Sequence, residues 1–326
     1  VTANGPRLME FLRELNRETF GGANLVTVGE AWGADIPRAR QYSAPDGSIF
    51  SMVFQFEQMV LDQGPSKWEP RPMALPDLKK SIARWQNGLH GCGWNSLFWN
   101  NHDLPRIVSR WGDDGAYRVQ SAKALAVALH GLQGTPYIYQ GEELGMTNAA
   151  FPLEDLRDIE SLNAYKDLRA QGRTDAEAMA AIHRVGRDNA RTPMQWTAGP
   201  NAGFTTGTPW MRVNPNHTAV NAEAALADPD SVFHTYQKLI ALRKAYPVFV
   251  EGDFTLLCPD DEQVFAYVRR GGGQAMLVAV NLSGRPAAFP LPEEFAAATP
   301  LLATAGAPVP GTLRPWEALL YCQPAR

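Results

Sequence analysis

The hydrophobic positions at the start of the chain follow two different periods in turn. Apolar residues between Leu8 and Leu15 repeat three and four positions apart, which predicts an amphipathic helix. The run at 25–28, LVTV, is apolar and partly β-branched without alternation, as is typical of a parallel strand buried on both faces. The chain therefore begins with a predicted helix and a short strand that ends at Glu30.

The same succession of strand and helix recurs along the next hundred residues. Further strands are predicted at 52–56, 95–99 and 135–139, and further helices at 75–89 and from a cap at Ser121 to Leu132, closed by Gly134. Strands joined by helices at this spacing indicate right-handed βαβ units and a parallel sheet. Four such units are half of a (β/α)₈ barrel, and they could also form a small open sheet.

The pattern changes in the last quarter of the chain. A long segment at 187–216 is rich in Pro, Gly, Asn and Thr and is expected to form loops, and a helix is predicted at 231–245. Short strands separated by turn residues then follow at 254–258, 264–268, 276–281 and 318–322. We therefore predict an α/β chain with two domains, a half-barrel at 1–249 and a small antiparallel β-sandwich at 250–326.

Composition and charge exclude several classes of protein. The 326 residues are 45% apolar and carry a net charge of −4 with mixed signs, so the clustered basic surface of a nucleic-acid-binding protein is not expected. No apolar run approaches the roughly 18 residues of a membrane span. Cys92, Cys258 and Cys322 are far apart and form no CxxC motif, which favours reduced thiols in a cytoplasmic protein and no metal site.

Acidic residues stand at the ends of three of the four predicted strands. They are Glu30, Asp103 and the pair Glu142 and Glu143. The active site of a parallel barrel lies where the strands end, and paired carboxylates there suit glycoside hydrolysis. Each of these residues taken alone would more readily be a surface or capping carboxylate.

Several segments together resemble the α-amylase superfamily, glycoside hydrolase family 13. Two of them contain the candidate carboxylates, TVGEAW at 27–32 and WNNHDLPR at 99–106, and a third is YIYQGEELGMTN at 137–148. The segments RDNARTPMQW, AGFT and VNPN, at 187–196, 202–205 and 213–216, resemble its oligo-1,6-glucosidase branch. The resemblance follows the whole chain in order, and it favours the barrel over the open sheet.

The resemblance implies roles for the residues around one glucose ring. Glu30 matches the general acid/base, whose pKa should be raised in the intact site, and Asp103 matches the carboxylate that stabilises the transition state. His102 matches a histidine that donates a hydrogen bond to the same glucose. Arg191 matches an arginine that binds this glucose, with Arg187 as a weaker candidate.

The resemblance also implies a subsite for the leaving group. Trp32 matches a tryptophan that lines it in glucan 1,6-α-glucosidases, and Lys67 and Glu160 match the polar pair that holds the second sugar. Lys67 and Glu160 could equally be ordinary loop charges, and Glu142 and Glu143 are assigned to structure rather than chemistry. The implied activity is that of a retaining α-glucosidase acting on α-1,6 bonds, and possibly α-1,4 bonds, at the non-reducing end of short oligosaccharides, without a cofactor.

Two other readings of the same segments are open. A sucrose isomerase, trehalose synthase or trehalose-phosphate hydrolase of this family would keep the chemistry and change the acceptor. A transporter-associated relative would have lost catalysis, but the joint presence of Glu30, His102 and Asp103 argues against it.

One part of the family pattern is not found. The family's nucleophile is an aspartate in an Arg-x-Asp context on the preceding strand, which should lie before Asn4, and residues 1–3, VTA, do not contain it. Any family calcium site would also lie before this chain. We therefore expect a C-terminal portion that is inactive alone and that self-associates or pairs with an N-terminal half-barrel through its open strand edges. In the active site, Glu30 and Asp103 should converge from neighbouring strands on one glucose-sized pocket.

Overall fold

Four short parallel strands form the centre of the first part of the molecule. The computed structural model describes residues 4–325 and contains β1 (Val28–Glu30), β2 (Met52–Phe54), β3 (Ser96–Leu97) and β4 (Thr135–Pro136). β1 pairs with β2 and β3 pairs with β4, both in parallel. A single parallel bridge between Val53 and Asn95 joins the two pairs. The spatial order is therefore β1-β2-β3-β4, and all four strands end at the same edge.

Helices cover this sheet and continue into the second part of the chain. They are α1 (Leu8–Leu15), α2 (Ile36–Tyr42), α3 (Leu75–Leu89), α4 (Ile107–Arg110), α5 (Arg118–His130), α6 (Ile159–Ala170), α7 (Asp175–Val185), α8 (Asp188–Arg191), α9 (Ala222–Ala227), α10 (Val232–Ala245) and α11 (Val248–Glu251). α3 and α5 follow β2 and β3 and bury apolar residues such as Leu78 and Leu125 in one large core. Within residues 4–325, no helix combines the length and apolar character that a membrane crossing requires.

The C-terminal part is an antiparallel sheet. Its strands are β5 (Thr255–Leu257), β6 (Val264–Gly271), β7 (Gln274–Asn281), β8 (Ala287–Ala288), β9 (Pro300–Ala303), β10 (Thr312–Leu313) and β11 (Ala318–Pro324). Five of them form one sheet in the order β5-β6-β7-β11-β9, and β8 pairs separately with β10. The predicted β domain is therefore present, with its second layer reduced to the short β8–β10 pair.

Side chains of the five-stranded sheet alternate between two cores. In β6, Phe265 and Tyr267 belong to the core that also contains α5 residues, whereas Val264, Ala266 and Val268 face the β8–β10 side. Successive side chains of a strand point to opposite faces, so both faces of β6 are buried. The sheet thus shares one continuous core with the helices of the first part.

The first predicted strand is displaced. β1 begins at Val28 and extends to Glu30, whereas Leu25 and Val26 lie outside it and are 61% and 76% exposed. The expectation that 25–28 is buried on both faces is wrong in this structure. Among the described residues β1 is an outer strand that pairs only with β2, so no second neighbour covers the residues that precede it.

The boundaries of the third predicted helix also differ. α5 begins at Arg118 and ends at His130, with Gly131 rather than Gly134 as its C-cap residue. Ser121 lies in the first turn instead of capping it, and its hydroxyl accepts from the Asp113 amide at 3.0 Å. The predicted helix at 231–245 is confirmed, because Ser231 caps α10 by accepting from the amide of His234.

Candidate active site

The two predicted catalytic carboxylates lie at the same edge of the parallel sheet. Glu30 is the last residue of β1 and stands beside Phe54 of β2, and Asp103 follows β3 in a short loop. The expectation that they come from neighbouring strands is wrong, because β2 lies between β1 and β3. Two strand spacings of about 4.8 Å separate the positions from which they project.

Asp103 is held by a network of hydrogen bonds from α8 and from its own loop. Arg191 Nη2 donates to Asp103 Oδ1 at 2.6 Å, and Arg191 Nε donates to the carbonyl of His102 at 2.8 Å. The Asp103 amide donates to Asn101 Oδ1 at 2.8 Å. His102 Nε2 lies 3.6 Å from Asp103 Oδ2. Arg191 therefore fixes both predicted glucose-binding residues of this loop.

A chain of opposite charges continues from Asp103 to Lys67. Arg187 Nη1 lies 3.6 Å from Asp103 Oδ1, and Arg187 Nε lies 3.2 Å from Glu160 Oε2. Lys67 Nζ donates to the same Glu160 oxygen at 2.6 Å, although the two residues are 93 positions apart. The structure thus brings together Asp103, Arg191, Lys67 and Glu160, and it adds Arg187 as the residue that joins them.

Asp158 binds both Arg187 and the first turn of α6, and the sequence did not single it out. Its carboxylate accepts from the amides of Glu160 and Ser161 as the N-cap of α6, and Arg187 Nη2 donates to Oδ1 at 2.6 Å. Burial acts to raise its pKa, but the hydrogen bonds from Arg187 and Ser161 outweigh it and hold the pKa below its usual value. The signal in the sequence was an aspartate just before a helix.

Glu30 and Trp32 line a depression that does not include the residues of the Asp103 network. A cavity of about 300 Å³ is lined by Glu30 and Trp32 together with residues of α1. The Glu30 side chain is exposed, and it makes no hydrogen bond or ion pair with residues 4–325. Trp32 is 57% exposed and its ring contacts Phe56 with centroids 4.7 Å apart. Its open face is available for stacking on an apolar ring surface.

Asp103 lines its own, smaller depression of about 40 Å³, with Lys67 among its neighbours. Contacting aromatic rings lie between the two sites, because Phe56 contacts Trp32 on one side and Phe98, next to β3, on the other at 5.6 Å. Within residues 4–325, Glu30 and Asp103 therefore face separate depressions and not one glucose-sized pocket. The physical reason is that Glu30 stands on the outer strand, which has a strand neighbour on one side only among the described residues.

The acidic pair after β4 is turned away from both depressions. Glu142 is buried and accepts from the Tyr236 hydroxyl at 2.6 Å and from Asn100 Nδ2 at 2.7 Å. Burial raises its pKa to about 7, against the effect of these two hydrogen bonds. Glu143 Oε2 accepts from the Gly141 amide at 2.8 Å. Across residues 4–325, His, Cys, Asp and Glu side chains form no cluster of three or more suited to a metal ion.

Comparison with known protein families decides the identity of this arrangement. Residues 1–252 match the family described as alpha amylase, catalytic domain, and residues 254–316 match maltogenic amylase, C-terminal domain. The chain belongs to the α-amylase family. The resemblance inferred from the sequence segments is therefore confirmed.

Relatives in the family are glucosidases of similar sequence. The oligo-1,6-glucosidase of Halalkalibacterium halodurans is 49% identical and that of Parageobacillus thermoglucosidasius is 51% identical, each over 98% of this chain and 58% of the relative. The crystal structure of trehalose-6-phosphate hydrolase from Bacillus licheniformis is 44% identical with a TM-score of 0.94, and the match covers 98% of this chain and 60% of that one.

These matches confirm the predicted fold class. The parallel strands and their helices are the C-terminal half of a (β/α)₈ barrel, and an antiparallel β domain follows. The chain spans 58% of the length of the two glucosidase relatives.

Proposed function

We propose that this chain contributes the acid/base and the glucose-binding residues of a retaining α-glucosidase that cleaves α-1,6 bonds at the non-reducing end of short oligosaccharides. One observation carries the proposal. Arg191 holds Asp103 at the same sheet edge as Glu30, in a chain about half identical to oligo-1,6-glucosidases. The substrate is an α-gluco-oligosaccharide, and the reaction needs no redox cofactor.

Glu30 acts as the proton donor and then as the base. It protonates the glycosidic oxygen as the bond to the leaving sugar breaks, and it later removes a proton from the water that releases glucose. Closure of the site around the exposed Glu30 side chain would remove solvent from it.

Asp103, His102 and Arg191 bind the glucose that carries the developing positive charge. Arg191 donates to Asp103 Oδ1, which leaves Oδ2 for a sugar hydroxyl, and His102 stands within 3.6 Å of that second oxygen. Because Arg191 also binds the His102 carbonyl, the Asp103 carboxylate is oriented before the substrate arrives, so little ordering is required at the transition state.

Trp32, Lys67 and Glu160 form the leaving-group side. The exposed Trp32 ring offers an apolar face to the second sugar. The contact between Lys67 and Glu160 places a donor and an acceptor side by side, as a neutral sugar with vicinal hydroxyls requires. Arg187 joins this pair to Asp103, so both subsites share one charge network.

A retaining mechanism also requires a second carboxylate as nucleophile. The outer edges of β1 and β4 have no strand partner among residues 4–325, and Leu25 and Val26 beside β1 are exposed. Unpaired strand edges bind other strands. We propose that an N-terminal half-barrel, which supplies the nucleophile and any calcium site, occupies these edges in the cytoplasm, and that the chain self-associates without it.

The test is complementation of the purified chain. Alone it should release no glucose from isomaltose above the blank, and it should sediment as more than a monomer. Activity should return when the N-terminal segment of the Parageobacillus thermoglucosidasius relative, which this chain does not span, is supplied by co-expression. In that reconstituted enzyme Glu30→Gln should lower kcat by about 10²–10⁴.

The matched control is Glu223→Gln, which removes an exposed glutamate in α9 and should leave the rate unchanged. Turnover by the chain alone, or full activity of the Glu30→Gln enzyme, would refute the assigned roles.

One alternative is favoured by a specific observation, the close match to a trehalose-6-phosphate hydrolase structure. A phosphorylated acceptor needs an unpaired cation, whereas Lys67 is neutralised by Glu160 and Arg187 by Asp158. The charge balance therefore favours a neutral sugar. Product analysis of the reconstituted enzyme with isomaltose, maltose, sucrose and trehalose 6-phosphate distinguishes hydrolase from isomerase and neutral from phosphorylated substrate.

A further inference from the structure

A buried carboxyl group lies behind the loop that carries Asp103. Glu142 sits in a tight turn between Gly141 and Gly145, whose φ angles of 87° and 65° suit glycine. Its Oε1 accepts from the hydroxyl of Tyr236 on α10 at 2.6 Å. Its Oε2 accepts from Asn100 Nδ2 at 2.7 Å. The carboxyl group thus connects a helix of the outer layer to the start of the catalytic loop.

Asn100 is the point at which this connection meets the loop. It is buried, it follows β3, and it precedes Asp103 by three residues. Its Oδ1 is also buried and has no hydrogen-bond partner among residues 4–325. In the observed orientation only the nitrogen of this amide has a hydrogen-bond partner. A buried amide oxygen without a donor costs free energy. The opposite orientation would present Oδ1 to Glu142 instead.

The two nearby arginines do not neutralise Glu142. Arg106 donates to the carbonyls of Gln140 and Asn189, and Arg118 of α5 donates to the carbonyls of Leu144 and Gly145. Their N–H groups bind backbone oxygens and the Thr192 hydroxyl, so no ion pair with Glu142 forms among the described residues, although the charge of Arg106 acts to lower the pKa of Glu142.

Of the remaining titratable neighbours, one disfavours a charge on Glu142 and two are neutral. Glu143 lies in the same turn and its negative charge repels that of Glu142. His130 of α5 contacts the Tyr236 ring at 5.2 Å and is held neutral by burial, which lowers its pKa to about 3. Tyr236 itself stays protonated, since burial raises its pKa. The carboxyl group therefore has two neutral hydrogen-bond partners and no counter-ion.

We propose that Glu142 is a positioning residue for the reaction, whose carboxyl group holds the loop 100–103 in place through Asn100, and that gain of a proton by Glu142 turns the Asn100 amide over. The role in catalysis rests on the proposed glucosidase function. The proton-linked contact itself does not depend on it.

Both protonation states keep two hydrogen bonds at this carboxyl group. The ionised form accepts from Tyr236 and from Asn100 Nδ2, as observed. In the neutral form the new O–H donates to Asn100 Oδ1, which has no partner in the observed orientation. Each state leaves one end of the amide unpaired, so the flip exchanges one bond for another.

The proton linkage is tested by urea unfolding of the 326-residue chain and of Glu142→Gln from pH 5 to pH 8. The pKa of Glu142 is about 7 in the folded chain against an ordinary value of 4.5. The folded state therefore keeps a proton that the unfolded state loses, and the native chain is destabilised as the pH rises through this window. We divide the unfolding constant of the native chain by that of Glu142→Gln. This ratio should rise about tenfold per pH unit up to a pH of about 7 and should then level off. A ratio that does not change with pH would overturn the proposal.

Two further variants locate the effect. Tyr236→Phe removes a donor to the ionised carboxylate, so the ratio should level off at a higher pH. Glu143→Gln removes a repelling charge, so it should level off at a lower pH. If Glu142→Gln does not fold, the carboxyl carbon of Glu142 is titrated by NMR in the native chain and in Tyr236→Phe. A midpoint that stays near 4.5 in both would contradict the proposal.

The positioning role is tested in the reconstituted enzyme. Glu142→Gln should remove one ionisation from the pH profile of kcat between pH 5 and pH 8, with KM changed less than kcat. A structural role alone would lower kcat by the same factor at every pH, and that result would refute the positioning role. If no α-glucoside is turned over, the proposed function fails while the unfolding titration still decides the proton linkage.

Discussion

Arg191 holds two residues of the catalytic loop with one planar guanidinium group. Nη2 binds the carboxylate of Asp103 and Nε binds the carbonyl of His102. The two acceptors lie side by side, and only a side chain with donors in a fixed fork reaches both. A lysine at this position would keep the charge and lose one of the two contacts.

We therefore expect Arg191→Lys to lower kcat/KM of the reconstituted enzyme by about 10- to 100-fold, the scale of one hydrogen bond to a charged group. The free energy of unfolding should change little, because the guanidinium is partly exposed. Arg184→Lys, at an exposed arginine of α7, is the control and should not alter the rate. An unchanged kcat/KM in Arg191→Lys would show that the fork is dispensable.

The site could be predicted from the sequence where motifs carry the information. Lys67 and Glu160, which the resemblance groups as a polar pair, contact each other although 93 residues separate them, and their role toward a second sugar stays a prediction. The role of Asp158 was not foreseen, because its partner Arg187 is fixed by the tertiary fold and not by local sequence. Glu142 was assigned to structure, and only the packing of α10 against the turn reveals Tyr236 as its partner.

The C-terminal end of α5 shows how separate elements complete one another. The last carbonyls of a helix have no partner within it, and here other parts of the chain supply the donors. The Tyr267 hydroxyl binds the carbonyl of Ala128, and Arg269 Nη1 binds that of Gly131. Arg243 Nη1 binds the carbonyl of His130. The positive charges of Arg269 and Arg243 also interact favourably with the negative end of the helix dipole.

Arg269 is the residue on which this arrangement depends most. It is fully buried and also donates to the carbonyls of Phe249, Gly252 and Asp253. Arg269→Met should lower the free energy of unfolding by roughly 3 kcal/mol or more, because several buried carbonyls lose their donor at once. Arg270→Met, at a neighbour that makes only a surface pair with Glu294, should cost less than about 1 kcal/mol. Equal costs in urea unfolding would contradict this account.

At the level of elements, the long apolar periods and the short parallel strands were predicted, whereas several helices were not. The helix at 75–89 has the predicted bounds, whereas α6 and α7 were not foreseen. Their apolar residues pack on each other and on loop residues such as Phe151 and Met211, which follow no period in the sequence. A capping box at Thr174 and Glu177 marks the start of α7 and was an available signal.

The half-barrel and the β domain form one packed body. Their residues share a single hydrophobic core, and Lys79 of α3 reaches across the boundary. Its ammonium group donates to the carbonyls of Cys258, Asp261 and Val264. A buried ammonium needs three acceptors, and here the β domain supplies all of them. The predicted division at residue 249 therefore separates two folds that share their interior.

Lys79→Met should lower the stability of both parts together. We expect roughly 2–3 kcal/mol from the loss of the three charge-assisted contacts, with a single transition by fluorescence and by circular dichroism. Lys80→Met removes only a surface pair with Asp260 and serves as the control, with less than about 1 kcal/mol. Two separate transitions in the native chain would contradict a shared core.

Glu30 stands on the outermost strand of the sheet, with its flank open. When the N-terminal half-barrel is supplied as a second polypeptide, the acid and the nucleophile meet only at the boundary between the two pieces. The rate of turnover would then grow with the product of the concentrations of the two pieces, and dilution would lower the activity per molecule. A mixing series at fixed total protein should peak at equal amounts of the two pieces.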